Sequence, residues 1–215
     1  MRARIPIRLA VEDDLSEYVI RRALLERSVQ YDIGDVYCRG GFGYLKKQTA
    51  SFNNAAKAGP FLLLTDLDQC TCAPTLVAEW IGPGRRVHPH FIFRVAVREV
   101  ESWLLADEVN LAAFLGLKKS AHLPNPEDLG NPKATLLELA AQSRHRDIRE
   151  AIVWRDERSG RFWQGPDYNG AMAPFVKNAW NVTIARQRCP SLNGLFIALA
   201  RLEKSYRTWP NRRGA

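Results

Sequence analysis

The chain has 215 residues, of which 46% are hydrophobic and 25% charged. That is the balance of a globular protein with room for one core and an appendage. It carries a net charge of +8 with a pI near 9.6, which favours a polyanionic partner such as nucleic acid. No apolar run is long enough to cross a bilayer, and the basic start meets Glu12 before any signal-like core forms. Four scattered cysteines (Cys38, Cys70, Cys72, Cys189) make no disulfide framework, and Cys70-x-Cys72 lacks the second pair of a zinc site. Free thiols in a cytoplasmic protein are the expectation.

In chain order, residues 4–12 alternate and end acidic, as a strand does. Asp13 or Asp14 is placed to cap a helix over 15–27, with Leu15, Val19, Ile20, Ala23 and Leu24 on one side. A second strand is expected at 33–38. The turn Arg39-Gly40-Gly41-Phe42-Gly43 follows, then a polar helix at 44–57. The apolar run Phe61-Leu62-Leu63-Leu64, bounded by Gly59-Pro60, predicts a buried third strand. A short helix at 75–81 ends at Gly82-Pro83-Gly84. Alternation of Phe91, Phe93, Val95 and Val97 predicts a fourth strand, and 99–106 turns helical. Beyond Val109 strand signals fade. Helices are expected at 111–117, 133–142, 147–153, 172–186 and 192–205, with a polar loop at 155–169 and a frayed tail at 210–214.

This alternation predicts an α/β fold: a mostly parallel four-stranded sheet flanked by helices over 1–108, and a helical C-terminal region over 109–215. Parallel strands put their carboxyl ends on one edge, where open α/β sheets bind ligands. Acids follow three of these strands: Glu12 the first, Asp66 and Asp68 the third, Glu99 and Glu101 the fourth. Asp is depleted in strands and costly in the interior. Residues two apart on a strand share a face, so Asp66 and Asp68 are expected to face one ion. Oxygen-only ligands select Mg²⁺ or Mn²⁺. Glu12, Asp66, Asp68 and Glu99 are therefore the candidate metal ligands, with Glu101 left open as the alternative to Glu99. Such sites perform phosphoryl chemistry. Glu12 and Asp66 are the candidate catalytic acids, and Lys133 of Pro132-Lys133 the candidate cation for the phosphate, with Arg98 second.

Arg39, Lys46 and Lys47, beside the glycine turn, are candidate nucleic-acid contacts, as is Arg98 after the fourth strand; the turn lacks the Gly-Lys-Ser/Thr ending of a phosphate-binding loop. His88-x-His90 has ligand spacing but reads as loop. No Gly-x-Ser-x-Gly elbow occurs. Trp163 and Tyr168 lie in the polar loop, where bases could stack.

Leu9-Ala10-Val11-Glu12-Asp13-Asp14 resembles the strand-plus-glutamate opening of Toprim domains, and Leu64-Thr65-Asp66-Leu67-Asp68 resembles their Asp-x-Asp motif. Arg98-Glu99-Val100-Glu101-Ser102-Trp103-Leu104-Leu105-Ala106-Asp107, Pro132-Lys133 and Cys189-Pro190-Ser191 resemble segments of a bacterial Toprim-like family of otherwise uncharacterised proteins, related to nucleases of the OLD (overcoming lysogenisation defect) class. The resemblance implies a compact parallel sheet and Mg²⁺-dependent hydrolysis of DNA or RNA phosphodiesters, in antiviral defence where such genes lie near phage-defence genes. Glu12, Asp66 and Asp68 match the motif positions. Asp13 replaces the usual glycine, and Cys70 stands where a further acid or Asn sometimes follows, which favours one metal over two. Two alternatives stay open. One is a non-catalytic Toprim-like nucleic-acid-binding or effector subunit acting with a partner protein encoded nearby. The other is a haloacid-dehalogenase-type phosphatase, whose Asp-x-Asp-x-Thr motif Asp66-Leu67-Asp68-Gln69-Cys70-Thr71 resembles.

Overall fold

The computed structural model describes residues 4–38, 40–120 and 122–208. Arg39 and the tail at 210–214 lie outside them. The protein is α/β and divides into two compact units. One comprises the described residues of Met1–Val97 and Ser191–Ala215, the other those of Arg98–Pro190. The division thus falls at Val97/Arg98, ahead of the boundary expected at 108, and the last helix joins the first unit. No helix among the described residues is long and apolar enough to cross a membrane.

The first unit holds β1 (Arg4–Ala10), α1 (Asp14–Leu25), β2 (Gln30–Tyr37), α2 (Gly41–Ala55), β3 (Phe61–Asp66), α3 (Ala73–Ile81) and β4 (Phe91–Ala96). All four strands are parallel, in the order β2-β1-β3-β4. After β2 the chain therefore crosses β1 and continues on its far side. Right-handed crossovers in opposite lateral directions place their helices on opposite faces. Phe61, Leu63, Phe91, Phe93 and Val95 alternate onto one face, where they pack with Leu45 and Phe52 of α2 and Leu76 and Trp80 of α3. Phe52 stacks on Phe61 at 4.7 Å, and Trp80 sits 5.5 Å from Phe93. The third strand is buried along Phe61–Thr65, which explains its unbroken apolar run.

The second unit holds α4 (Glu101–Leu105), α5 (Glu108–Phe114), α6 (Pro132–Ala140), α7 (Arg146–Ile152), β5 (Val153–Arg155), β6 (Phe162–Gln164), α8 (Tyr168–Pro174) and α9 (Val182–Arg188). The polar loop expected at 155–169 contains an antiparallel hairpin, β5 with β6. Its strands are three residues each, too short for an alternation signal. The helix expected at 172–186 is broken: a π-turn at Phe175–Ala179 follows α8, and Asn181 caps α9 by accepting the N–H groups of Thr183 and Ile184. Buried Asp107 accepts the Asn181 N–H at 2.6 Å, and the Trp180 indole donates to Trp103 O at 3.1 Å. Cys189 is buried, with its thiol 3.5 Å from Ser102 O and its pKa pushed up by burial.

The final helix, α10 (Pro190–Tyr206), lies in the first unit from Ser191 onward. Ser191 Oγ accepts the Val97 N–H at 3.3 Å, beside β4. At the other end Tyr206 packs with Ile5 of β1, so α10 covers the sheet face opposite α2 and α3. Glu203 takes a two-pronged contact from Arg27, at 2.7 and 2.8 Å, and the Tyr31 hydroxyl at 3.0 Å. Although burial pushes the Glu203 carboxyl up, these donors hold it below the ordinary carboxylate range.

Candidate metal centre

Strand order reverses between β1 and β3, and the carboxyl ends flanking such a reversal are the usual ligand position in open α/β sheets. Glu12 lies two residues past β1 and reaches the neighbouring β3. Its Oε1 accepts the Asp66 backbone N–H at 2.9 Å and the Thr65 hydroxyl. Burial pushes the Glu12 carboxyl above its ordinary value. The nearby charges of Asp68 and Asp13 push the same way, and the two donors oppose them. Glu12 and Asp66 are each half-buried.

Asp68 does not share the strand's alternation. The ladder persists through Leu67, whose N–H donates to Ala96 O at 2.9 Å, and then Asp68 takes φ +49°. Left-handed backbone, which Asp tolerates better than most residues, turns the chain out of β3. The expectation that Asp66 and Asp68 face one ion through a two-residue strand period therefore fails. Asp68 is exposed and acts on Glu12 through its charge. Asp13 is the α1 cap, accepting the Ser16 N–H at 2.8 Å.

Among the described residues, a group of three possible ligands with donor atoms within 4.8 Å of one another is Asp14, Glu17 and Cys38. Glu12, Asp66 and Asp68 do not form so tight a group. The Cys38 thiol is pushed up to about 12, by burial first and then by the Asp14 contact and neighbouring carboxylates. Without a cation it is a protonated thiol at neutral pH. His88 and His90 have rings 5.4 Å apart, and burial lowers both pKa values.

Glu99, Glu101 and Lys133 belong to the second unit and form their own cluster. Asn131 caps α6 through the Ala134 N–H at 2.7 Å, which sets Lys133 in the first turn. The Lys133 N–H donates to Glu99 Oε2 at 2.8 Å, and its Nζ lies 3.4 Å from Glu101 Oε1. Glu101 is 1% exposed. Its Oε1 also accepts the Tyr168 hydroxyl at 2.9 Å, while Oε2 is buried without a hydrogen-bond partner. Burial pushes the Glu101 carboxyl up. Lys133 opposes that shift and Glu99 adds to it.

Of the expected nucleic-acid contacts, Lys46 is paired with Glu79 at 2.6 Å, Lys47 is exposed, Arg98 is half-buried with φ +64°, and Arg39 is outside the described residues. Tyr168, expected in a loop, is buried and begins α8. Sequence reasoning passed over Thr65, and it read Tyr168 as a loop residue for base stacking where the structure makes it Glu101's buried partner. A hydroxyl closing an otherwise apolar strand was the available signal for Thr65.

Comparison with protein families, with curated proteins and with solved structures finds no match.

Proposed function

We propose that this chain is a metal-dependent nuclease, with a divalent cation held at the carboxyl ends of β1 and β3. The observation that carries this is Glu12 reaching Thr65 and the Asp66 N–H across the reversal of strand order. The donor set fits the ion. It is oxygen-only, and Mg²⁺ binds through one or two carboxylates while keeping several waters, so a tight three-carboxylate cage is not required. Glu12 and Asp66 would hold the cation, with Asp68 adding negative charge at the mouth. Bound there, Mg²⁺ or Mn²⁺ supplies activation of water and neutralisation of charge on phosphate oxygens.

The chain's own part is positioning and charge. The Thr65 hydroxyl and the Asp66 N–H fix one oxygen of Glu12, and the second is assigned to the cation. Burial and neighbouring acids make the Glu12 carboxylate costly to ionise alone, so a cation is its natural counter-charge. The net charge of +8 supplies sequence-independent attraction for phosphates. Lys133 is not carried into this proposal, because its ammonium is already held by Glu101.

Purified protein with Mg²⁺ or Mn²⁺ should nick plasmid DNA or degrade RNA, and Asp66→Ala should abolish this. Equal behaviour of wild type and variant on every nucleic acid tried defeats the proposal. It would leave a Toprim-like subunit without chemistry, the reading favoured by the loose spacing of the three acids.

A further inference from the structure

The hairpin of the second unit has no place in the proposed cation site. Its register sets Trp154 of β5 directly opposite Trp163 of β6. Directly opposed residues share a face, with Cβ atoms about 5 Å apart. The two indoles are 56% and 51% exposed. A single exposed tryptophan needs no explanation, but an opposed pair offers a broad aromatic surface of the kind enriched at interfaces.

The turn of the hairpin is organised around Asp156. Its carboxylate accepts the Arg158 N–H at 3.0 Å and the Ser159 hydroxyl at 2.6 Å, and Gly160 supplies a positive φ of +68°. These bonds hold that acid to the turn, while Arg158 and Arg161 are exposed beside the tryptophans; Arg155 pairs with Phe162 on the opposite face, its guanidinium 5.9 Å from that ring. Glu157, the other acid of the turn, is exposed. At the base, Gly165 donates to Ile152 O at 2.8 Å, and a Cβ on it would lie 2.5 Å from Ala151 O. Glycine thus lets the ribbon seat tightly on the end of α7. On its β6 side the hairpin walls a cleft of about 690 Å³ against α6, with Trp163, Arg161 and Gln164 on one wall and Asn131 and Lys133 on the other. That volume is typical of a small-ligand site.

We infer that the Trp154–Trp163 face is a stacking platform for the unpaired bases of single-stranded nucleic acid, with Arg158 and Arg161 contacting its phosphates. Aromatic rings interleaved with arginine are the chemistry that binds a single strand: every base has a face to stack, and the backbone is a line of negative charge. A stacked duplex offers the indoles no free base faces. An apolar protein partner would leave two arginines and a net charge of +8 without a counterpart. The inference rests on the nuclease proposal in taking nucleic acid as ligand, and it sharpens the substrate to single strands.

Binding of fluorescently labelled 30-nucleotide dT and rU oligomers to the full chain, measured by anisotropy with EDTA present, tests it apart from cleavage. Wild type should bind either or both single strands more tightly than a duplex of equal length. Trp154→Ala/Trp163→Ala should weaken binding about ten-fold or more. Trp154→Tyr/Trp163→Tyr should retain most of the affinity, and circular dichroism should be unchanged in both. Arg158→Ala/Arg161→Ala should flatten the dependence on salt. Unchanged affinity in the double alanine variant overturns the platform, as does a wild type that cuts duplex yet ignores single strands; the nuclease proposal survives both results. Loss of vesicle binding or self-association in that variant, with nucleic-acid affinity intact, also overturns it. Ring-dependent binding without any cleavage keeps the platform and defeats the nuclease.

Discussion

Glu12 and Glu101 are both carboxylates whose pKa burial drives upward, yet they sit in opposite kinds of surroundings. Glu12 is half-buried at an open sheet edge, held by a hydroxyl and a backbone N–H, with further acids close by. Nothing cationic offsets it among its named partners. Glu101 is almost wholly enclosed, is given a lysine at 3.4 Å and a tyrosine hydroxyl at 2.9 Å, and keeps one oxygen unbonded. The lesson is that burial alone does not mark a reacting acid. An acid at an accessible edge with exchangeable donors is equipped to take a cation. One sealed beside a lysine holds its own unit together.

The strongest way to break this contrast is to neutralise each acid. Glu12→Gln should lower metal-dependent cleavage by at least about a hundred-fold, the scale of losing one charge-stabilising group, with little change in melting temperature. Glu101→Ala should do the reverse. Removing one partner of a buried pair costs about 3–5 kcal/mol, and the low end is expected because Lys133 is 31% exposed and can reach water. Denaturant unfolding of both variants, beside a cleavage assay per folded molecule, separates the two roles. A stable, inactive Glu101→Ala protein would invert the assignment.

Deleting single hydroxyls sharpens it further. Tyr168→Phe strips Glu101 of a buried donor and should cost about 1–3 kcal/mol in denaturant unfolding. Thr65→Val should cost about 1 kcal/mol, and its more telling readout is pH. The Thr65 hydroxyl lowers the Glu12 pKa, so its loss should move the acid limb of the cleavage profile to higher pH.

The smallest effect expected is on stability against pH. Both carboxyls are raised in the folded chain, so the native state binds their protons more tightly than the unfolded state does. Their cost is fully present above the raised values and is relieved as pH falls through them toward the ordinary carboxylate value of about 4.3. Glu203, which is lowered, contributes with the opposite sign: its stabilisation is present above the ordinary value and lost as pH falls. Glu101→Gln should therefore make stability between neutral and mildly acidic pH fall more steeply on acidification than in wild type, by calorimetric melting at several pH values. An unchanged profile would mean that Glu101 titrates normally.

Much of this could be read locally. The run Phe61–Leu64, the alternation of Phe91, Phe93 and Val95, and the Asp13 and Asn131 caps are signals within a few residues, because strand period, helix period and cap hydrogen bonds are themselves short-range. The parallel sheet followed from helices alternating with strands. The meeting of Glu12 with Asp66 was anticipated only as a shared edge, since strand order is a choice among long-range pairings. It was the tertiary structure that set β1 beside β3 and brought Glu12 Oε1 to the Asp66 N–H. Tertiary structure also decided what a two-residue spacing could not: Asp68 leaves the strand through a positive φ, and Glu101, not Glu99, is the buried partner of the Lys133 ammonium. The Trp154–Trp163 pair was hidden for the same reason. Its strands are too short to show a period, and the two rings meet only through register. Sequence settled what each segment tends to be; packing and strand order settled which side chains stand together, because those depend on the whole chain closing at once.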